Sequence, residues 1–173
     1  MAGLKELRTR IETIKSTEKI TSAMKMVAAA RLRRSQGLIE KCRFYNNNIL
    51  ASANRVLFEL RQEEQKKNVR FVYPELMRGS GKAENYLLLV FTSDRGLCGS
   101  YNSNVAREAS KRIEELLGSG KNVKILCIGK KGRDILKRKY AGMIVDTIEG
   151  IARKGAKYYE AVDLGQRVLE IGR

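Results

Sequence analysis

The sequence contains no histidine, a single proline and three widely separated cysteines. Without histidine there can be no Ser-His-Asp triad, no Cys-His dyad and no histidine-ligated metal site. An odd number of distant cysteines argues against a disulfide framework and against a cysteine-based zinc site. No apolar run approaches the ~18 residues that a membrane span needs. We therefore expect reduced cysteines, as in a cytosol-like compartment, and no metal, cofactor or catalytic residue.

The charge of the chain is strongly positive, with 35 Lys and Arg against 19 Asp and Glu, a formal net charge of +16. Such a chain is attracted to nucleic acid, to an anionic membrane surface or to an acidic protein, and charge alone does not choose among them. The length of 173 residues and the hydrophobic content of 43% predict one folded domain, alone or with an appendage.

Residues 1–60 are predicted to form one long helix. From residue 4 onward the stretch contains no proline and only one glycine, Gly37. Apolar residues recur at alternating steps of three and four, which is the pattern of a left-handed coiled coil. The predicted coiled-coil seam consists of Leu4, Leu7, Ile11, Ile14, Ala28, Leu32, Ile39, Cys42, Ile49, Ala53, Val56 and Leu60.

The seam is interrupted by polar residues over residues 18–25, where the apolar side chains move to Ile20, Met24 and Val27. One interpretation is a register adjustment inside the coiled coil, since such stutters are common in long coiled coils. The other is that this segment meets a different partner on its outer face. The sequence pattern leaves both open.

The remainder of the chain divides into a joint and an α/β domain. Residues 61–85 carry a polar run, Pro74 and several glycines, and are predicted to be a linker or surface loop. Residues 86–173 then alternate between apolar strands and helices, which predicts a small parallel sheet in a Rossmann-like, three-layer domain. The predicted strands are 86–91, 123–128 and 143–148, and the predicted helices are 104–117, 132–140 and 157–171.

The loop after the first strand, residues 93–102, is the most distinctive stretch of this domain. It completes neither the glycine pattern of a dinucleotide site nor that of a phosphate-binding loop. We expect Asp94 to cap backbone N–H groups and Arg95, next to a glycine, to be held out to solvent for a partner's carboxylate. Cys98 has no imidazole base nearby for a nucleophilic role. Residues 129–132 are expected to be only a charged turn.

Two stretches resemble a known family. Residues 19–33, KITSAMKMVAAARLR, are similar to the N-terminal helix motif of the gamma subunit of F-type ATP synthase. Residues 92–102, TSDRGLCGSYN, are similar to the second signature of that family, in the right order and at the right separation. The resemblance runs from Leu4 to the end and is greatest to bacterial, particularly alphaproteobacterial, members.

The resemblance implies the central-stalk rotor of an ATP synthase, a non-catalytic subunit. In the family the N-terminal helix pairs with an antiparallel C-terminal helix inside a hexamer of alpha and beta subunits, and the α/β domain sits near the epsilon subunit and the ring of c subunits. Proton flow turns this assembly, which lies peripherally at the cytoplasmic face of the bacterial inner membrane. The resemblance also implies contact with the beta subunit through Ile20, Met24, Lys25, Val27, Arg95 and Cys98.

The family chain continues well past residue 173, so the resemblance implies that the C-terminal part is lacking and that the α/β domain of residues 86–173 is incomplete. A second interpretation is a basic nucleic-acid-binding α/β protein with a coiled-coil dimerisation arm. The charge supports it, but aromatic residues make up only 6% of the chain and do not interleave with the basic ones. A third is an enzyme that depends on Cys98.

Overall fold

The computed structural model describes residues 3–68, 71, 83–151 and 157–172. The chain divides into two compact units, Met1–Val72 and Tyr73–Arg173. None of the described helices combines the length and the apolar character that a membrane crossing requires.

The first unit is built on one helix, α1, which extends from Leu4 to Lys67 and comprises 64 residues. The prediction that a linker begins at residue 61 is wrong, because the helix continues to Lys67. Residues 61–67 are Arg, Gln, Glu and Lys, all good helix formers, and Lys67 pairs with Glu63 one turn earlier at 3.2 Å. Asn68 ends the helix in the left-handed conformation, with φ 49°. Most of the predicted linker, residues 69, 70 and 72–82, lies outside the described residues.

Helix α1 has no buried residue. Every position of the predicted seam lies on it, and the large apolar ones among them are exposed, such as Leu4 at 75% and Ile39 at 55%, except Leu60, which is half-buried. A helix of this length spans about 95 Å at ~1.5 Å per residue. The long helix is thus confirmed, while its pairing in a coiled coil stays a prediction.

The second unit contains a three-stranded parallel sheet in the order β1-β2-β3. Its strands are β1 (Asn85–Phe91), β2 (Asn122–Ile128) and β3 (Ile144–Ile148). Its helices are α2 (Tyr101–Gly118), α3 (Lys130–Tyr140) and α4 (Tyr158–Gly172), with a 3-10 turn at Ala141–Met143. The order βαβαβα and the parallel pairing confirm the α/β class predicted from the alternating pattern.

Three layers follow from the alternation of side chains along β2. The residues on one side of this strand join a core with α2 and α3 that includes the fully buried Ile113, Ile125 and Leu136. On the other side, Lys124 Nζ donates to a carbonyl oxygen of α4 at 3.5 Å, and Arg167 of α4 pairs with Asp146 of β3 at 3.0 Å. Because successive residues of a strand face opposite sides of the sheet, α4 lies against β2 and β3 on the face that α2 and α3 leave open.

The carboxyl ends of all three strands lie at one edge of the sheet, because the strands are parallel. Among the described residues β1 has only one neighbouring strand, and its Leu89 and Phe91 are 36% and 51% exposed.

Helix α3 begins at Lys130, directly after Gly129, rather than at residue 132 as predicted. The expectation that residues 129–132 form only a turn is therefore wrong, because residues 130–132 belong to the first turn of this helix.

Candidate functional site

The first candidate surface lies on α1 and consists of Ile20, Met24 and Val27. Residues spaced by four and then three lie on the same face of a helix. Their side chains are 59%, 52% and 53% exposed, so this face is a strip of accessible apolar surface. Lys25 lies beside it, about 100° around the helix from Met24.

A polar residue within the same segment is satisfied by the helix itself. The hydroxyl of Thr21 donates to the carbonyl oxygens of Thr17 and Glu18, both at 3.0 Å. Its polar atom therefore requires no partner from outside. The face around Met24 thus presents mainly carbon to its surroundings, with the ammonium of Lys25 at the margin, and no carboxylate among the described residues pairs with Lys25.

The second candidate surface is the loop after β1, which Asp94 fastens to the ends of the other two strands. Asp94 Oδ1 accepts the backbone N–H of Lys130 at 3.1 Å, and Oδ2 accepts that of Gly150 at 2.9 Å. Lys130 follows β2 and Gly150 follows β3. The prediction that Asp94 binds backbone N–H groups is confirmed, but these groups belong to the start of α3 and to the segment after β3 rather than to its own turn.

Asn102 at the start of α2 holds the loop from inside. It is the buried polar residue of this unit's described part, with 9% exposure. Its Oδ1 accepts the backbone N–H of Ser93 at 3.0 Å, and its Nδ2 donates to Cys98 Sγ at 3.0 Å. One amide thereby joins both ends of the loop, which restricts the conformations available to the residues between them.

Thr92 and two glycines allow the loop after β1 to lie close to the first turn of α3. Thr92 Oγ1 accepts the backbone N–H of Gly132 at 2.8 Å. A Cβ atom at Gly129, whose φ is +106°, would lie 2.1 Å from the carbonyl oxygen of Thr92. A Cβ atom at Gly132 would lie 2.7 Å from the side chain of Thr92. Only glycine permits this approach at both positions.

Three residues of the loop differ in how much of their side chain they present. Cys98 is half-buried, and its sulfur is already a hydrogen-bond acceptor from Asn102. Arg95 is exposed, and its guanidinium has no ion-pair partner among the described residues. Leu97 is 96% exposed and adopts a left-handed conformation with φ 63°. Arg95 and Leu97 therefore form the outer surface of the loop.

The structure brings some of the predicted contact residues together. Ile20, Met24 and Val27 share a face on α1, and Arg95 and Cys98 share a loop in the second unit. Sequence reasoning missed Thr92, Leu97 and Asn102. The side chain of Asn102 could have been suspected, because an Asn at a helix start next to a loop is a common partner for backbone groups. No sequence pattern indicated the exposure of Leu97.

In the part of the chain that the structure describes, the acidic side chains form no metal site and Cys127 presents no accessible thiol. Among the described residues, no group of three or more cysteine, aspartate or glutamate side chains could hold a metal ion. Burial raises the pKa of the Cys127 thiol, whose residue is 0% exposed. A buried, protonated thiol is a packing residue rather than a nucleophile.

The basic residues of α3 are partly neutralised. Arg133 pairs with Glu149 at 2.9 Å, and Lys139 pairs with Glu114. Hydrogen bonds to Asp134 and Glu114 raise the pKa values of Arg133 and Lys139, respectively. This pairing reduces the net positive charge that α3 presents, and positive charge was the support for the nucleic-acid interpretation.

Comparison with known proteins identifies relatives along nearly the whole chain. The family model described as ATP synthase matches residues 3–172. The ATP synthase gamma chain of Sinorhizobium medicae is 42% identical over 171 residues, which cover 99% of this chain and 56% of that protein. The ATP synthase gamma chain of Gluconobacter oxydans is 44% identical over 168 residues, which cover 97% of this chain and 55% of that protein. The chain thus spans somewhat more than half the length of these curated relatives.

A solved structure agrees with these relatives. A chain of the central stalk and c-ring structure of the Tetrahymena thermophila mitochondrial ATP synthase superposes with a TM-score of 0.62 at 29% identity. The superposition covers 86% of this chain and 58% of that chain. The similarity therefore extends to the fold as well as to the sequence.

Proposed function

Because this chain belongs to the ATP synthase family, we propose that it acts as a gamma subunit, the rotor of the central stalk. In this role it couples proton-driven rotation of the ring of c subunits to the conformational cycle of the catalytic beta subunits. It is itself non-catalytic and binds no cofactor. It sits peripherally at the cytoplasmic face of the bacterial inner membrane, with the alpha, beta and epsilon subunits and the c ring as partners.

The observation that carries this proposal is the 64-residue helix α1 with no buried residue. Helices draw most of their stability in water from packing of an apolar face, and propensity alone contributes little. The large apolar seam residues of α1, its Leu, Ile and Val positions, would each contribute roughly 1.5 kcal/mol or more if they were buried. A partner helix in an antiparallel shaft would supply that burial, and the surrounding alpha and beta subunits would cover the remaining surface.

The face formed by Ile20, Met24 and Val27 is proposed to meet the beta subunits, because it lies off the seam and is apolar. Contact with a moving partner requires a surface without strong, specific bonds, since every bond that persists would add to the barrier for rotation. Lys25 at its margin provides long-range attraction to an acidic segment. In the second unit, Arg95 and Cys98 are proposed to lie opposite an acidic segment of the beta subunit.

The direct test is co-purification. The tagged chain is co-expressed with untagged alpha and beta subunits from the same organism, and the stoichiometry of the purified complex is determined by native mass spectrometry. We expect alpha and beta subunits to be retained at physiological salt. A chain that purifies without them, or that binds DNA with a footprint at the same salt, would contradict the proposal.

The contact face on α1 is tested with two methionines that differ in position. Met24→Lys places a cation on the proposed face, whereas Met26→Lys places it about 200° around the helix. A new ion pair of about 1 kcal/mol to an acidic segment would slow passage about fivefold. If hydrolysis at the beta subunits continues while rotation is hindered, Met24→Lys lowers the protons pumped per ATP hydrolysed in the assembled complex, and we expect this result, with Met26→Lys close to wild type. Equal ratios in the two variants would show that residues 18–25 do not form a separate contact with the beta subunit.

A further inference from the structure

Positive charge flanks the predicted seam of α1. Between Leu7 and the next seam residue, Ile11, lie three residues, of which the first and the third flank the seam and the middle one faces away from it. This arrangement recurs every seven residues. Over residues 4–43 the flank positions hold five cations and no carboxylate. The five are Arg8, Arg10, Lys15, Arg31 and Arg43.

The carboxylates of the same stretch lie elsewhere. Glu6, Glu12 and Glu40 occupy positions on the outer side of the helix, and Glu18 falls on the line of the seam itself. The five flanking cations are exposed, and the ion pairs found in the described part of the chain involve none of them. The described residues therefore leave the flanks of the seam without neutralising charge.

The spacing of these cations indicates the shape of a partner that would neutralise them. Arg8 and Arg43 are 35 residues apart in the sequence, which is about 50 Å along a helix at ~1.5 Å per residue. A compact partner would meet only a few of the five charges. A second helix lying along the seam would bury the apolar residues and reach the flank positions over the whole distance.

Asn46 interrupts the last part of the seam. It follows Cys42 by four residues and precedes Ile49 by three, so it takes a seam position between apolar neighbours. Burial of its amide against an apolar side chain would leave donors and an acceptor without partners, which is unfavourable. A partner helix is therefore favoured only in the register that brings a polar side chain opposite Asn46. Asn47 and Asn48 repeat the residue type but lie about 100° and 200° further around the helix.

We propose that the helix pairing with α1 is acidic along its flanks and carries one polar side chain in its seam. Its carboxylates lie opposite the five flanking cations, and its polar side chain lies opposite Asn46 and fixes the register. The inference rests on the proposed function, from which it takes the antiparallel direction, and it adds the chemistry by which α1 selects its partner. Strong bonds are compatible with rotation here, because the two helices of the shaft turn together.

Synthetic helices test the charge of the partner. Three peptides share a leucine seam, with one Asn placed opposite Asn46 in the antiparallel alignment, and carry Glu, Gln or Lys at every flank position. The Kd of the full chain for each labelled peptide is measured at low salt and at about 1 M salt, where the Debye length is about 3 Å. We expect the Glu peptide to bind about 10- to 50-fold more tightly than the Gln peptide at low salt, as for five exposed ion pairs. The Lys peptide should bind most weakly, and high salt should reduce both differences.

Two asparagines of α1 test the register. A fourth peptide has Glu flanks, but its Asn is placed one heptad out of register. Wild type should prefer the in-register peptide by about tenfold, since the shifted one either leaves amides buried without partners or slides and loses seam contacts. Asn46→Leu should lose this preference, because neither alignment then pairs two polar groups. Asn48→Leu makes the same change away from the seam and should keep the preference.

Each contrary result overturns the inference. Equal binding of the Glu and Gln peptides at low salt would show that the flanks do not select an acidic helix. Loss of the register preference in both Asn variants, or in neither, would show that Asn46 does not set it. Failure of every peptide to bind would mean that α1 takes no such helix, and sedimentation of the chain as a dimer would then show that a second copy covers the seam.

The proposed function is judged separately by the co-purification. Retention of alpha and beta subunits would leave it standing in each of these cases. If the Glu peptide is preferred but alpha and beta subunits are not retained, the proposed function fails and the chemistry of the partner helix stands.

Discussion

Helix α1 and the α/β unit contain the same types of apolar residue, but α1 exposes them to solvent whereas the α/β unit buries them. Ile39 on α1 is 55% exposed, whereas Ile125 in β2 is 0% exposed. Every buried hydrophobic residue of the described part of the chain lies in the α/β unit. The periodic pattern was equally clear in both regions. A sequence pattern thus predicts which side chains favour burial. It does not predict whether they are buried within the same chain or against another one.

The two regions should therefore respond differently to the same change. In the α/β unit the apolar contacts form within the chain, so their loss should lower the free energy of unfolding of the isolated chain. On α1 the corresponding contacts are proposed to form with other subunits, so their loss should weaken assembly with those subunits. Chemical labelling and matched substitutions in each region test this contrast.

The largest contrast is expected in labelling of two cysteine thiols. Cys42 is exposed on α1, whereas Cys127 is buried in β2 with its pKa raised by that burial. Alkylation of Cys127 requires the core to open, so we expect it to react about 1000-fold or more slowly than Cys42 at neutral pH. Mass spectrometry of peptides after timed iodoacetamide exposure measures both rates. Comparable rates would show that the core of the α/β unit opens readily, and the contrast between the regions would fail.

A matched pair of core and surface substitutions measures the contrast in free energy. Ile125→Ala removes a fully buried side chain and should lower the free energy of unfolding by about 3–4 kcal/mol. Ile39→Ala makes the same chemical change on α1 and should change it by about 0.5 kcal/mol or less. Urea denaturation of the two variants and wild type provides the measurement. A large loss for Ile39→Ala would mean that α1 packs its seam in the isolated chain.

Two glycines of the α/β unit test the close approach of its loops. Gly129→Ala places a methyl group against the carbonyl oxygen of Thr92 and forces a residue into φ +106°. We expect a loss of about 2–3 kcal/mol in the free energy of unfolding, since both effects strain the backbone. Gly96→Ala, where a Cβ meets nothing within 4 Å, is the control and should be close to neutral. Thermal unfolding of both variants measures the difference. Equal melting temperatures would contradict the close packing of Gly129 against Thr92.

The smallest effect is expected from an exposed ion pair. A hydrogen bond from Lys139 and another from Tyr140 lower the pKa of Glu114 below its ordinary value of 4.5. A carboxyl group whose pKa is lowered by folding stabilises the fold above its unfolded pKa, and this contribution is lost as the pH falls through the folded value. Glu114→Gln should therefore flatten the acid limb of the stability profile below about pH 4.5, with a small effect because the pair is exposed.

The control for that prediction is Glu108→Gln, which changes a carboxylate on the same helix with no ion pair among the described residues. Melting temperatures of the three proteins between pH 3 and pH 7 provide the comparison. An acid limb that is equally steep in wild type and in Glu114→Gln would mean that the contacts to Glu114 contribute nothing to stability.

Part of the candidate site was accessible from sequence because it depends on local rules. The face of Ile20, Met24 and Val27 follows from helical spacing alone, and the exposure of Arg95 follows from its position next to Gly96. The structure confirms both placements. Their contacts with a beta subunit remain a proposal, because no property of one chain specifies what another chain places opposite it.

The remaining part of the site depends on residues far apart in sequence. No role was assigned to Asn102 or Thr92 from sequence. Each has a role only because folding brings its hydrogen-bond partners next to it. The exposure of Leu97 was missed for a related reason. An apolar residue in a loop is usually expected to turn inward. The direction of Leu97 is set instead by the hydrogen bonds that hold the two ends of its loop.

Local sequence patterns were enough to establish the long helix, the alternation of strands and helices and the position of the distinctive loop. These features follow from periodicity, helix propensity and turn residues, which act over a few neighbouring positions. Tertiary folding was needed to show that Asp94 binds backbone groups 36 and 56 residues away, at Lys130 and Gly150. Parallel strands bring their carboxyl ends to one edge of the sheet. Residues that no local rule connects thereby become hydrogen-bond partners.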